Sequence, residues 1–147
     1  MKTTHRTLQC RSCEATHTLD SKFCRACGQA FAPEDIEEAK EKNLELVQAG
    51  MKSLTEGRVA EAILVAQSAL SADPSSIEAW ALLGESREKN GDYPAALVAF
   101  RKLVEIDPNS PIYPIKVQHL EDLIDAETLA VVKPANRKVA LMGGIAA

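Results

Sequence analysis

From residue 33 onward, apolar positions recur at the spacing of a helix face rather than a strand. "PEDIEEAKEKNLELVQAGMKSL" predicts one long helix from Glu34, with Pro33 near its start and acids in its first turn. The next apolar set is Val59, Ala62, Ala66 and Ala69, ending at Pro74. Residues 77–90 predict a third helix, entered after Ser75-Ser76, with Trp80, Leu83 and Arg87 at i, i+3, i+7. Asn90-Gly91 stops it, Gly serving as a left-handed cap. Pro94 sits in the first turn of a fourth helix, which carries Leu97, Phe100, Leu103 and Val104 on one face and ends at Pro108. After Pro111 and Pro114, Val117, Leu120, Leu123 and Ile124 form one more stripe, read as a helix over 111–130 that caps the last hairpin. Before residue 33 the pattern changes. Thr16, Thr18 and Leu19 suit a strand, Asp20-Ser21 a turn, and Phe23-Cys24 a return strand, so a small β-hairpin is expected there. The fold class is therefore mainly α, with a small β head.

The helical part repeats itself. Shifted by 34 residues, "GRVAEAILVAQSALSADPSS" at 57–76 lies over "GDYPAALVAFRKLVEIDPNS" at 91–110, and Gly50 falls on Gly84. A period of this length is that of a helical-hairpin unit. Two units result, 43–76 and 77–110, with 32–42 as a helical connector in front. Gly84 and Ala96 are small where paired helices must come close.

These residues resemble the tetratricopeptide repeat. The second copy carries the family's Trp80, Leu83-Gly84, Tyr93, Ala96, Phe100 and Pro108; it departs at Arg87, where Tyr is usual, and at Leu103, where Ala is usual. The first copy keeps Gly50, Ala62, Ala69 and Pro74 and lacks the aromatics. The resemblance implies a groove, lined by the first helix of each unit, that binds a protein or peptide partner. Its lining here would be Leu44, Val47, Met51 and Leu54, then Glu78, Ala81, Glu85, Glu88 and Lys89. An apolar half followed by an acidic half suits a partner with an apolar anchor and basic residues. The competing reading buries the four apolar residues and leaves the glutamates as a solvated face. The Asn/Lys pattern with which some family members grip a C-terminal carboxylate is not evident. Two units are also few for a stable stack, so the flanking segments are expected to help.

The chain's four cysteines fall in the head, as Cys10-x2-Cys13-x10-Cys24-x2-Cys27. Two such pairs can set four thiolates around one zinc ion, and a site with four protein ligands is closed to water, hence structural. Gly28, after the second pair, sits where the turn needs a positive φ. Two disulfides would suit a secreted chain, but "MKTTHRTLQC" shows no secretory signal. A thioredoxin-like redox couple needs one pair beside a βαβ pattern. Haem attachment needs His after the second Cys, where Glu14 and Gly28 stand. Zinc is favoured, and iron in a four-cysteine site stays open. His5 and His17 are spare donors, read as surface residues. "KFCRACGQAF" resembles the second knuckle of short N-terminal zinc ribbons of bacterial and archaeal proteins, while "CRSCEA" has Glu14 where their first knuckle has Gly. The resemblance covers residues 8–31, within a head of 1–31.

Charge sharpens the functional reading. Residues 1–31 hold five Lys/Arg against two Asp/Glu, residues 32–110 eight against fifteen, and 111–147 four against four, for a total of −4 over 147 residues. An acidic body argues against a general nucleic-acid binder, because phosphate affinity comes largely from Lys and Arg. The second reading, a nucleic-acid adaptor, rests on the head alone, with Arg6, Arg11, Lys22 and Arg25 as phosphate contacts. At 131–147, Arg137 and Lys138 precede an apolar run from Val139 to Ala147, too short to cross a bilayer. It reads either as a frayed tail or as the start of a membrane anchor with its basic flank on the cytoplasmic side. No phosphate-binding glycine loop, Ser/His/Asp set or His-x-x-x-His pair is present, and "LMGGIAA" lacks a strand–helix context. His119, near Glu121 and Asp122, reads as a surface or packed histidine. The expectation is a non-catalytic scaffold, cytoplasmic or at the cytoplasmic face of a membrane, with protein partners.

Overall fold

The computed structural model describes the backbone of residues 7–145, with side chains through residue 132. His5, Arg6 and the side chains of 133–147, including Arg137, Lys138 and the apolar run, lie outside the described residues. The element order is β1 (Leu8–Gln9), β2 (Thr16–His17), α1 (Pro33–Thr55), α2 (Val59–Ala72), α3 (Ile77–Lys89), α4 (Tyr93–Ile106) and α5 (Ile112–Ile145). Each helix packs on the next, and α1 also reaches α3, so the helices form a stack of antiparallel hairpins.

Local chemistry sets the boundaries. Ser76 Oγ accepts the Ala79 N–H at 3.2 Å at the start of α3, and Asp92 Oδ1 accepts the Ala95 N–H at 3.3 Å at the start of α4. Gly57 and Gly91 follow α1 and α3 with φ of +83° and +77°, a left-handed turn that a side chain resists. Between the hairpins, Asp73 Oδ1 accepts from Ser75 N–H and Oγ at 3.1 and 2.7 Å, which holds the turn at Pro74. Trp80 Nε1 donates to the Pro74 carbonyl at 2.8 Å, tying α3 back to the same turn.

Two cores follow from this stacking. The first gathers Val47 and Leu54 of α1, Ala62, Ala66 and Ala69 of α2, and Ala79 and Leu82 of α3. The second gathers Ala96, Leu97, Phe100 and Leu103 of α4 with Leu120 of α5. Helix α3 lies between them. The expected single stripe of Trp80, Leu83 and Arg87 therefore understates it: Leu82, off that stripe, is fully buried, and Arg87 is drawn to Asp92 at 3.3 Å. Small residues allow the close approach. A Cβ on Gly50 would lie 2.6 Å from Leu82 Cδ2 and 2.7 Å from Val65 Cγ1; one on Gly84 would lie 2.8 Å from Phe100 Cε2.

The head differs from the expected hairpin. Residues 16–19 do not pair forward with 23–24. β2 pairs backward with β1, antiparallel, in the register Leu8↔His17 and Gln9↔Thr16, and Phe23 bridges to Ala30 instead. Each Cys-x-x-Cys turn folds the chain back on itself, so each pairs its own flanks. The head then seats on the helices: Leu8 and Leu19 pack with Ala39 of α1, flanked by Phe31 and Ile36, and the Leu19 N–H donates to the Ala72 carbonyl at the end of α2 at 2.9 Å. Arg11 reaches Asp35 of α1 at 2.7 Å.

At the other end, Tyr113, Val117, Leu120, Leu123 and Ile124 of α5 pack on α4, and Lys116 lies 5.7 Å above the Phe100 ring. The helix continues without a break past residue 130, where the sequence reading ends it, because "DAETLAVVK" holds no Gly or Pro to stop it. From Asp125 to Val132 its side chains are exposed. Among the described residues, no helix is long and apolar enough to cross a membrane.

Gly84→Ala tests the close approach of α3 and α4. Overpacking against the stiff Phe100 ring should exceed the helix-propensity gain of about 1 kcal/mol, leaving a net loss of about 1–2 kcal/mol in urea unfolding. Combined with Phe100→Leu, the loss should be smaller than the sum of the two single changes.

Candidate metal centre and interaction face

The two Cys-x-x-Cys turns are copies of one another, offset by 14 positions. In the first, the Cys10 N–H donates to Ala15 O at 2.9 Å and the Glu14 N–H to Cys10 O at 2.9 Å; in the second, the Cys24 N–H donates to Gln29 O at 2.7 Å and the Gly28 N–H to Cys24 O at 2.8 Å. The flanks match too: Gln9↔Thr16 corresponds to Phe23↔Ala30. Gly28 has φ +79°, and Glu14, its counterpart, is held at φ +60°. The turn geometry is thus imposed on a residue that resists it, so the one departure from the ribbon pattern sits at a strained position.

This arrangement brings all four predicted ligands together. Their sulfurs lie within 4.8 Å of one another, with Cys10 Sγ 3.5 Å from Cys27 Sγ and Cys13 Sγ 3.4 Å from Cys24 Sγ, both across the two turns. Four thiolates about 2.3 Å from one ion stand about 3.8 Å apart, so the donor set fits a tetrahedral centre. The separations far exceed a sulfur–sulfur bond of about 2.05 Å, and all four cysteines are free thiols. Cys10 and Cys24 are buried, Cys13 and Cys27 exposed.

The turns prepare this charge. The Cys13 and Ser12 N–H groups lower the Cys10 thiol. Burial pushes Cys24 up, but the Cys27 and Ala26 N–H groups, together with hydrogen bonds to the Cys13 and Cys27 sulfurs, outweigh it and bring it to about 6. At Cys13 the Ala15 N–H lowers the thiol, yet the hydrogen bond shared with Cys24, burial, and the other two sulfurs together push it up to about 12. Four sulfurs this close cannot all ionise unless a cation offsets them. His17, read from sequence as a surface residue, is half-buried, with Nε2 3.2 Å from Cys24 Sγ and its ring 5.5 Å from Phe31. It stands beside the centre as a neighbour of a ligand sulfur. The backward pairing of β2 puts it there, and the sequence spacing did not show that pairing.

The basic residues of the head are placed as follows among the described residues. Arg11 is engaged by Asp35, Lys22 and Arg25 are exposed on the second turn, and Arg6 lies outside the described residues.

The predicted groove is corrected on α1. Leu44 and Met51 are exposed at 38% and 39%, but Val47 and Leu54 are core residues at 0% and 4%. Three positions along a helix is a rotation of about 60° backward, and here that angle separates the open face from the seam with α2 and α3. On α3, Glu78, Glu85 and Lys89 are exposed and Ala81 and Glu88 half-buried, with Glu88 bonded to Lys116 of α5 at 2.9 Å. The structure adds a third panel. At the same 34-residue offset, Ile112 and Ile115 of α5 take the places of Glu78 and Ala81, and both are exposed, at 62% and 69%. Burial, then the charges of Asp107, Glu78 and Glu85, raise the Tyr113 phenol, which places it in the field of the α3 carboxylates. The 34-residue shift carried one step further would have found this panel.

Residues 53–114 match the tetratricopeptide repeat family, and the hairpin stack is of that kind. Among curated proteins, the chain is similar to the PEX5-related proteins of Rattus norvegicus and Homo sapiens, each 38% identical over 61 residues, 42% of this chain and 10% of theirs. It is also similar to superkiller complex protein 3 of Mus musculus, 32% identical over 82 residues, 56% of this chain and 5% of that one. The chain thus spans a tenth or less of the length of these relatives.

Glu14→Gly should relieve the left-handed strain and stabilise the loaded head by about 1 kcal/mol. In competition with a chelator the metal should be held about fivefold more tightly; unchanged retention would mean that the first turn is not strained.

Proposed function

We propose that this chain is a non-catalytic adaptor: a zinc-stapled head on a short tetratricopeptide array whose concave face takes a protein partner. The observation that carries the reading is the exposure of Leu44, Met51, Ile112 and Ile115 at groove positions, while their neighbours Val47, Leu54 and Leu120 are buried. Leu44 and Ile112 share one register of the 34-residue repeat, with Glu78 between them on α3, and apolar side chains left in water on the first helices mark a binding face more than a folding need. The head supports the reading from the side. With four cysteine sulfurs as donors, a zinc ion has no open position for water or substrate, so its work is structural. Four cysteines kept unoxidised for a metal suit a reducing compartment such as the cytoplasm. Zinc fits better than other ions because a tetrahedral set of four thiolates matches its preference, and iron is the alternative that metal analysis separates.

Two measurements test this. Metal analysis of the purified chain should find one zinc per chain; removing it should abolish the head's structure while most of the helical signal stays. Iron in that place overturns the metal assignment. For the face, a photo-crosslinking residue at Met51 or Ile115 should capture a polypeptide that the same residue at Val98 or Leu64, exposed on α4 and α2, does not. Equal capture at all four positions would remove the concave face as the site.

A further inference from the structure

The connector was read as a link between head and repeats, yet its glutamates line a cleft. This cleft, about 890 Å³, opens between the first half of α1 and the α2–α3 turn with the start of α3. Its walls carry Glu34, Glu37 and Glu41 of α1 and Glu78 of α3, with Lys40 the one cationic residue of the lining. Leu44 and Ile77 supply apolar surface. Glu34, Glu37 and Glu41 form no ion pair among the described residues.

A second feature is independent of the acids. Asn43, 2% exposed, also lines the cleft. Its Nδ2 donates to the Ala69 carbonyl at 3.1 Å, but its Oδ1 has no hydrogen-bond partner. A buried amide oxygen without a donor is costly, of the order of 1–3 kcal/mol in general, and an incoming N–H would satisfy it. Carboxylates for charge, an amide oxygen for a donor and an aliphatic floor together describe one chemistry.

We infer that this cleft binds a cationic peptide segment, rich in Lys or Arg, whose backbone or side-chain N–H reaches Asn43 and whose aliphatic residue rests on Leu44 and Ile77. The inference deepens the adaptor reading and rests on it. It names the partner's chemistry and puts its entry at the head-proximal end of the concave face. On α1, Glu37, Glu41, Leu44, Gln48 and Met51 fall along one exposed line, so a segment anchored in the cleft runs on toward the repeat groove.

The test uses the full metal-loaded chain and a fluorescein-labelled peptide of lysines and arginines flanking two leucines, followed by anisotropy. Binding should weaken about tenfold or more between about 50 mM and about 500 mM salt, because exposed charges are screened over that range. Glu37→Lys with Glu41→Lys should weaken it about tenfold or more, and the isosteric pair Glu37→Gln with Glu41→Gln by less. All four changes are at exposed positions, and circular dichroism checks that the fold is kept. Equal binding of the counterpart peptide with glutamate in place of lysine and arginine overturns the inference. So does full affinity in the double Lys variant. If that variant binds normally while Met51→Glu abolishes binding, the adaptor reading stands and the cleft assignment falls; if neither matters, both fall.

Discussion

A helical hairpin can bury only one of its two broad faces against a neighbour, so a stack of two leaves apolar surface at each end. This constraint shapes both flanks of the chain. At the far end α5 covers α4, with Leu120 fully buried and Arg101 paired to Glu121 at 2.7 Å. At the near end the cover is the cysteine-rich head. Leu19 is 1% exposed, packs with Ala39 and donates its N–H to the last turn of α2. That bond satisfies one of the carbonyls that a helix end leaves open, in a place where a preceding repeat would otherwise stand.

The metal and the helices are therefore linked in one direction more than the other. Neither helical core contains a residue of the head. The described head has almost no core of its own beyond Leu8 and Leu19, and a segment this small would gain most of its stability from a metal bound at the cysteines. A metal bound at the cluster would order the two turns; the turns set β2 against β1, and that pairing presents Leu19 to Ala72. Losing the ion would uncover the Ala39–Ile36 surface of α1 first and disturb the second core last, because α3 and α4 stand between.

Periodicity read the helices well because period and burial agree there. The 34-residue shift, the caps at Ser76 and Gly91, and the small residues at Gly84 and Ala96 were all legible in sequence for that reason. So was the gathering of the four cysteines, whose spacing has few other uses. What was not legible depends on rotation and pairing. Val47 and Leu44 carry similar side chains three positions apart; only the packing of α1 on two helices assigns one to the core. Leu82 was passed over because a helix buried on two sides has no single stripe. In the head, strand propensity favoured a forward hairpin, and the backbone bonds of the turns, Cys10 to Ala15 and Cys24 to Gln29, decided for backward pairing.

The head also fixes what α1 can show to a partner. Ile36 and Ala39 are held in the head's core, and Asn43, Val47 and Leu54 in the stack, so one side of α1 is anchored along its full length. With that side committed, the helix cannot turn about its axis, and Glu37, Glu41, Leu44 and Met51 are presented together on the other. A helix anchored at only one end would leave those side chains free to drift in register relative to α3. Anchoring at both ends aligns them with Ile77 and Glu78 of α3 before any partner arrives, which lowers the ordering cost of binding. On this view the cysteine cluster contributes to recognition without touching a partner: it holds the acidic turns of α1 in line with the groove.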